Sequence, residues 1–176
     1  QNNVRRAYSS GTPAIGVGAG NVPVIIDTTA DLLDAAENIM LSKCFDNATS
    51  CSSENSVTIL EDVYEDAIKA LEAVGGYRCT PEDKQKVQDT LWEGGHLNRH
   101  VIARDPDVFA ETCELPEDAK LAKFFLVEDE LHVGKESPFS NEKLSLALTV
   151  YKAKDFAEAK RHVQSVLDFA GMGHSV

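Results

Sequence analysis

The sequence predicts an α/β fold with a largely parallel sheet and helices on both faces. Apolar runs of strand length, "VPVIID", "SVTIL", "KFFLVED" and "SLALTVYKAK", alternate along the chain with segments of helical periodicity. The chain has 176 residues and 43% hydrophobic content, enough for one domain with a real core. It contains no internal repeat and no low-complexity tract, so one folded unit accounts for all of it.

After the polar opening "QNNVRRAYSSG", the Gly-rich "GVGAGN" at 16–21 reads as a loop feeding the buried strand "VPVIID". Thr28 or Thr29 can cap the next helix, whose apolar positions Leu32, Leu33, Ala36, Ile39, Met40 and Cys44 recur every three to four residues. Cys44 is therefore a packing residue. The helix runs out near Phe45, residues 46–53 form a turn, and the strand "SVTIL" follows. Cys51 thus sits in a helix-to-strand connection, where scaffolds mount functional groups.

"EDVYEDAIKALEAVGG" reads as a surface helix ended by Gly75 and Gly76. "TPEDKQKVQDTLWEG" reads as another, with Thr80 as cap and Pro81 in the first turn. Residues 95–122 are broken, with a helix at "DPDVFAETC". The strand "KFFLVED" leads into a polar loop over 129–143 that ends in "FSNEKL", and "SLALTVYKAK" is the next strand. Asp155 and Glu158 predict a capping box for a helix that buries Phe156, Ala159, Val163, Val166, Leu167 and Ala170. "GMGHSV" closes the chain as a loop.

A formal charge of −12 and a pI near 4.8 repel phosphate backbones and anionic lipid, and no basic stripe reverses that locally. Nucleic acid and membrane surfaces are excluded as partners on that ground. No apolar run approaches the roughly eighteen residues of a membrane span, and the N-terminus lacks a signal-peptide layout, which predicts a cytoplasmic protein. The four cysteines, Cys44, Cys51, Cys79 and Cys113, form no CxxC pair and no short-range metal spacing, so they read as reduced thiols. The start at Gln1 and the stop at "GHSV", where another element is expected, both suggest a truncated chain.

"GVGAGN" is not a dinucleotide fingerprint, because the third glycine of that pattern falls on Asn21 and a strand follows in place of a helix. His96 and His100 stand four apart and could share a metal on a helix, but no acidic residue lies between them and no third ligand is evident, so no metal is expected. His132 and His162 read as surface residues, whereas His174, between Gly173 and Ser175, is a functional candidate. For Cys51, "NATSCSS" offers no apolar periodicity to explain a packed thiol, and turn N–H groups can stabilise a thiolate. Local sequence leaves nucleophile and packing both open.

Four ordered blocks carry a resemblance: "AYSSGTPAIGVGAGNVPVIID", "SKCFDNATSCSSENSVTI", "NEKLSLALTVYKAKDFAEA" and "GMGHS". Together they resemble the catalytic domain of the aldehyde dehydrogenase superfamily, in its CoA-acylating branch, over nearly the whole of residues 1–176. "GHLNRHVIAR", "PFSNEKLS" and "LDFAGMGHS" are similar to the acylating sulfoacetaldehyde dehydrogenases. The resemblance implies that Cys51 is the nucleophile, that its backbone N–H contributes to an oxyanion hole, and that Glu142 positions the nicotinamide ribose. It also implies that His174 lies near the active site and assists the CoA thiol. The implied cofactor is NAD or NADP with coenzyme A as co-substrate, and the implied partners are a small aldehyde and, in the full-length enzyme, further copies of itself. The cofactor-binding domain, with the second oxyanion donor, and a C-terminal arm are expected outside this chain, which leaves the isolated chain nearly inactive.

Two departures from the family pattern bear on mechanism. Where hydrolytic members carry a general-base Glu, this chain has Val17 and Gly18, neither of which can activate water. That fits acyl transfer to CoA over hydrolysis. Where the superfamily usually has Gly three residues before the nucleophile, this chain has Ala48. Glu54 reads as a structural carboxylate. Rival readings are a hydrolytic aldehyde dehydrogenase, an acetaldehyde or succinate-semialdehyde specificity, an assembly unit like the aldehyde half of bifunctional aldehyde–alcohol dehydrogenases, and a retired homologue.

Overall fold

Five short segments, four of them apolar, line up side by side in the computed structural model, which describes residues 2–16, 20–129 and 133–171. They are β1 (Pro23–Ile26), β2 (Ser56–Leu60), β3 (Gly76–Arg78), β6 (Phe124–Glu128) and β7 (Ala147–Ala153); β4 (Trp92–Glu93) and β5 (His96–Leu97) form a separate antiparallel hairpin. The sheet order is β1-β2-β7-β6-β3, and every pairing is parallel. The chain starts at one edge, crosses to the far edge and returns to fill the centre. Val57 of β2 lies opposite Val24 on one side and Val150 on the other, so the central strands bury apolar side chains on both faces.

Among the described residues, six α-helices complete the layers: α1 (Asn2–Ser9), α2 (Leu32–Cys44), α3 (Tyr64–Ala73), α4 (Pro81–Leu91), α5 (Pro106–Thr112) and α6 (Phe156–Ala170). The predicted α/β class, the four predicted strands and the predicted helices are present. α1 falls in the polar opening, where no element was expected. β3 was also missed, because three half-buried residues at a sheet edge carry no apolar run. Gly75 and Gly76 do more than end α3. Gly75 has φ +110, and a Cβ on Gly76 would meet the Leu71 carbonyl oxygen at 2.8 Å, so the pair turns the chain directly into β3.

The caps show where sequence logic held and where it slipped. α2 begins later than expected: the Asp31 carboxylate accepts from Leu33 N (3.1 Å) and Asp34 N (3.2 Å), while Thr29 bonds back to Asp27. At α4 the expected cap is complete, with Thr80 Oγ1 accepting from Asp83 N and the Asp83 carboxylate accepting from Thr80 N. Thr80→Ala should therefore destabilise the protein by about 1 kcal/mol, read as a lower urea midpoint at unchanged denaturant slope. At α6 Asp155 caps Glu158 N, but the Glu158 carboxylate reaches Lys154 N instead of closing the box. Ala159, Val166 and Leu167 are buried as expected. Phe156 is 48% exposed, with Lys160 over its ring, and the side chain of Ala170 lies outside the description.

"HLNRH" is not helical. Gly94 and Gly95, at φ +58 and +79, make the β4–β5 hairpin turn, which puts His96 on a strand and His100 in a turn. The spacing that would pair them on a helix face does not exist. Among the described residues no helix is long and apolar enough to cross a membrane, and no group of three His, Cys, Asp or Glu side chains is placed to hold a metal.

Candidate active site

Three segments meet at the amino ends of three adjacent strands: residues 20–22 before β1, 49–55 before β2 and 137–143 before β7. This is the opposite end from the usual ligand crevice of an open parallel sheet. Asn55 N donates to Val22 O (2.9 Å), and Asn21 Nδ2 donates to Ser140 O (2.6 Å). Lys143 N donates to Asn55 Oδ1 (3.0 Å), and Thr149 N donates to Asn55 O (3.1 Å). Asn21 and Asn55 are buried, and each side-chain amide both donates and accepts, with one of its bonds holding loop to loop.

Cys51 is exposed in the turn that precedes β2, a turn closed by Ser53 N donating to Ser50 O (3.0 Å). Upstream, Asp46, Asn47 and Ala48 take φ of 49°, 51° and 59°, three consecutive left-handed residues without a glycine among them. Such backbone costs roughly 1–2 kcal/mol per residue and persists only where contacts fix it. Thr49 Oγ1 supplies one by donating to Asp46 O (2.6 Å), and Asn47 Nδ2 supplies another by donating to Asp105 Oδ1 (2.7 Å). The positive φ of Ala48 explains why glycine is the ordinary residue there, and its methyl group is buried in the core.

Glu142 is half-buried, two residues past the end of the 3₁₀ turn Pro138–Ser140. That turn is anchored from below: the buried Asp129 carboxylate accepts from Lys84 Nζ (2.8 Å) and from Ser137 Oγ, and Ser140 Oγ shares a hydrogen bond with Tyr151 OH (2.7 Å). The Cys51 turn and the Glu142 segment are thus neighbours through Asn55 and Lys143. His174 lies outside the described residues, as do Val17, Gly18 and His132. Cys44 packs half-buried against the core, as its helical spacing implied. His162 is a correction: it is half-buried, edge-on to Tyr151 at 6.1 Å, and burial pulls its pKa down while Glu158 opposes.

Two residues of this region lie inside the quoted sequence blocks but were given no role there. Lys43 and Lys143 are both fully buried. Burial brings Lys43 down to about 7, with Glu54, Cys44 and Glu142 pulling the other way. Burial and the Lys43 charge push Lys143 well below the ordinary lysine range, against Asp129 and Glu142. A sequence signal existed for Lys43, which continues the buried stripe Ala36, Ile39 one turn on. Lys143 had only its place beside Glu142 in "NEKL".

No protein-family model matches the chain. It is 47% identical over 176 residues to the acylating sulfoacetaldehyde dehydrogenase of Cupriavidus necator, covering all of this chain and 36% of that protein. An acetylating aldehyde dehydrogenase structure from Geobacillus thermoglucosidasius superposes with a TM-score of 0.89 at 40% identity, over 98% of this chain and 38% of the other. A propionaldehyde dehydrogenase structure from Rhodopseudomonas palustris, with bound CoA and an acylated cysteine, superposes with a TM-score of 0.81 at 26% identity, over 94% and 37%. A parallel sheet with an exposed cysteine turn at its amino ends, matched at this identity, places the chain in the aldehyde dehydrogenase superfamily. Within it, the similarity is to the CoA-acylating branch, of whose members it spans a little over a third.

Proposed function

We propose that the protein carrying this chain is a cytoplasmic, NAD(P)-dependent, CoA-acylating aldehyde dehydrogenase, and that these residues are its catalytic domain. The observation that carries the reading is the exposed Cys51, raised on a braced turn beside the Glu142 segment. Its thiolate adds to the aldehyde carbon, forming a C–S bond, and the Cys51 N–H supports the oxyanion of the thiohemiacetal. A bound nicotinamide supplies the hydride acceptor that leaves a thioester on Cys51. The half-buried Glu142 carboxylate fits a ribose hydroxyl, which needs an acceptor held in place.

The thioester then passes to the CoA thiol, with His174 assisting that thiol. Val17 and Gly18 offer no base for water, which protects the thioester from hydrolysis. The nicotinamide pocket and the second oxyanion donor come from other parts of the protein, so residues 1–176 alone lack turnover. The aldehyde is proposed to be sulfoacetaldehyde. Among Arg5, Arg6, Arg99 and Arg104, Arg104 is the proposed sulfonate anchor: it lies between Ala103, which donates to Leu144 O (2.9 Å), and Asp105, which holds Asn47, and its own Nε donates to His100 O (3.0 Å).

Product analysis tests the reading. The native protein, given sulfoacetaldehyde, acetaldehyde or succinate semialdehyde with NAD(P)+, should form acyl-CoA only when CoA is present and should be most efficient with the sulfonated substrate. Free acid formed at equal rate without CoA would overturn the acylating assignment.

A further inference from the structure

Lysine is a poor choice for filling space in a protein interior. Methionine has a similar volume and no charge to desolvate, so a buried ammonium has to be explained by the bonds it makes. Lys43 and Lys143 make theirs to main-chain carbonyls of the two site loops. Lys43 Nζ, on α2, reaches across to Glu54 O (2.8 Å), three residues past Cys51. Lys143 Nζ spans Phe139 O (2.8 Å) and Asn141 O (2.9 Å), closing the turn that ends at Glu142. Its own N–H is the bond to Asn55 Oδ1 that joins the two loops. Glu142 acts on both side chains and the Lys43 charge acts on Lys143, as for a pair lying together under the site.

We infer that Lys43 and Lys143 are positioning residues, Lys43 setting the turn of Cys51 from beneath and Lys143 setting the segment of Glu142. The inference rests on the roles proposed above for those two residues. It follows that the two lysines act on different steps. Lys43 governs presentation of the thiol, and Lys143 governs the carboxylate that receives the nicotinamide ribose. A purely structural role would weaken the fold in both cases and separate nothing.

The experiment compares Lys43→Met and Lys143→Met in the native protein by steady-state kinetics and by the rate of Cys51 alkylation with iodoacetamide. Lys143→Met should raise KM for the nicotinamide cofactor about tenfold, with alkylation within about twofold of wild type. Lys43→Met should do the reverse, changing alkylation about tenfold at nearly unchanged cofactor KM. Lys143→Gln, which keeps two N–H donors, should recover part of the lost KM. If the methionine variants do not fold, Asn55→Ala carries the test, since it removes the acceptor of Lys143 N and should raise cofactor KM alike. Kinetic constants and alkylation rates equal to wild type in these variants would overturn the inference. A wild-type protein that forms no acyl-CoA would instead overturn the proposed function, while the alkylation arm would still report on the Cys51 turn.

Discussion

Cys51→Ala will reduce acyl-CoA formation by the native protein about 10⁴- to 10⁶-fold, because no other group on the loop can form the thioester. Ser50 and Ser52 flank it and hydrogen-bond each other at 2.8 Å, but a hydroxyl without a base is a far weaker nucleophile than a thiolate. The side chain is exposed and outside the core, so stability should change by no more than about 0.5 kcal/mol. Cys44→Ala is the matched control. That thiol is half-buried, donates weakly to Lys123 O at 3.6 Å, and is raised by burial, so its loss should cost stability and spare turnover. Intact-mass detection of an acyl adduct on wild type and Cys44→Ala, absent from Cys51→Ala, would complete the case. Turnover surviving in Cys51→Ala would refute the assignment.

The layers were legible because periodicity reports burial. "SVTIL" is buried throughout and "SLALTVYKAK" as far as Tyr151, and only a strand between two helix layers is buried so continuously. β3 was illegible for the converse reason, being short, half-exposed and at an edge. The cysteine turn could be located from the end of α2 and the start of β2. Its left-handed backbone could not, since Asp46, Asn47 and Ala48 include no glycine to announce it. The joining of the Cys51 and Glu142 loops depends on Asn21, Asn55 and Lys143, ordinary polar residues whose partners lie far along the chain. Long-range hydrogen bonds leave no local pattern, and here they do the assembling.

The buried lysines make the second large effect a pH dependence of stability. Lys43 sits at about 7 in the folded protein against 10.5 when exposed, and Lys143 is displaced in the same direction. Between those values the unfolded chain binds more protons than the folded one, so stability rises with pH; below about 7 the penalty of burying the Lys43 charge is fully present. From pH 7 to 8.5 the rise should be on the order of 1–2 kcal/mol from Lys43. The thiols oppose it higher up. Burial raises Cys79 strongly and both Cys113 and Tyr77 to about 12, so the unfolded chain loses those protons first, and these contributions fall from about 9 for the thiols and about 10 for the phenol. Urea midpoints of the native protein should therefore keep rising past pH 8.5, while both lysines still gain, and turn over between about pH 9 and 10. In Lys43→Met the thiol-driven fall should remain while the rising limb becomes shallower, so the variant loses ground to wild type as pH increases from 7 to 8.5. Equal slopes in the two proteins over that interval would mean that Lys43 keeps its proton when buried, held by Glu54 and Glu142.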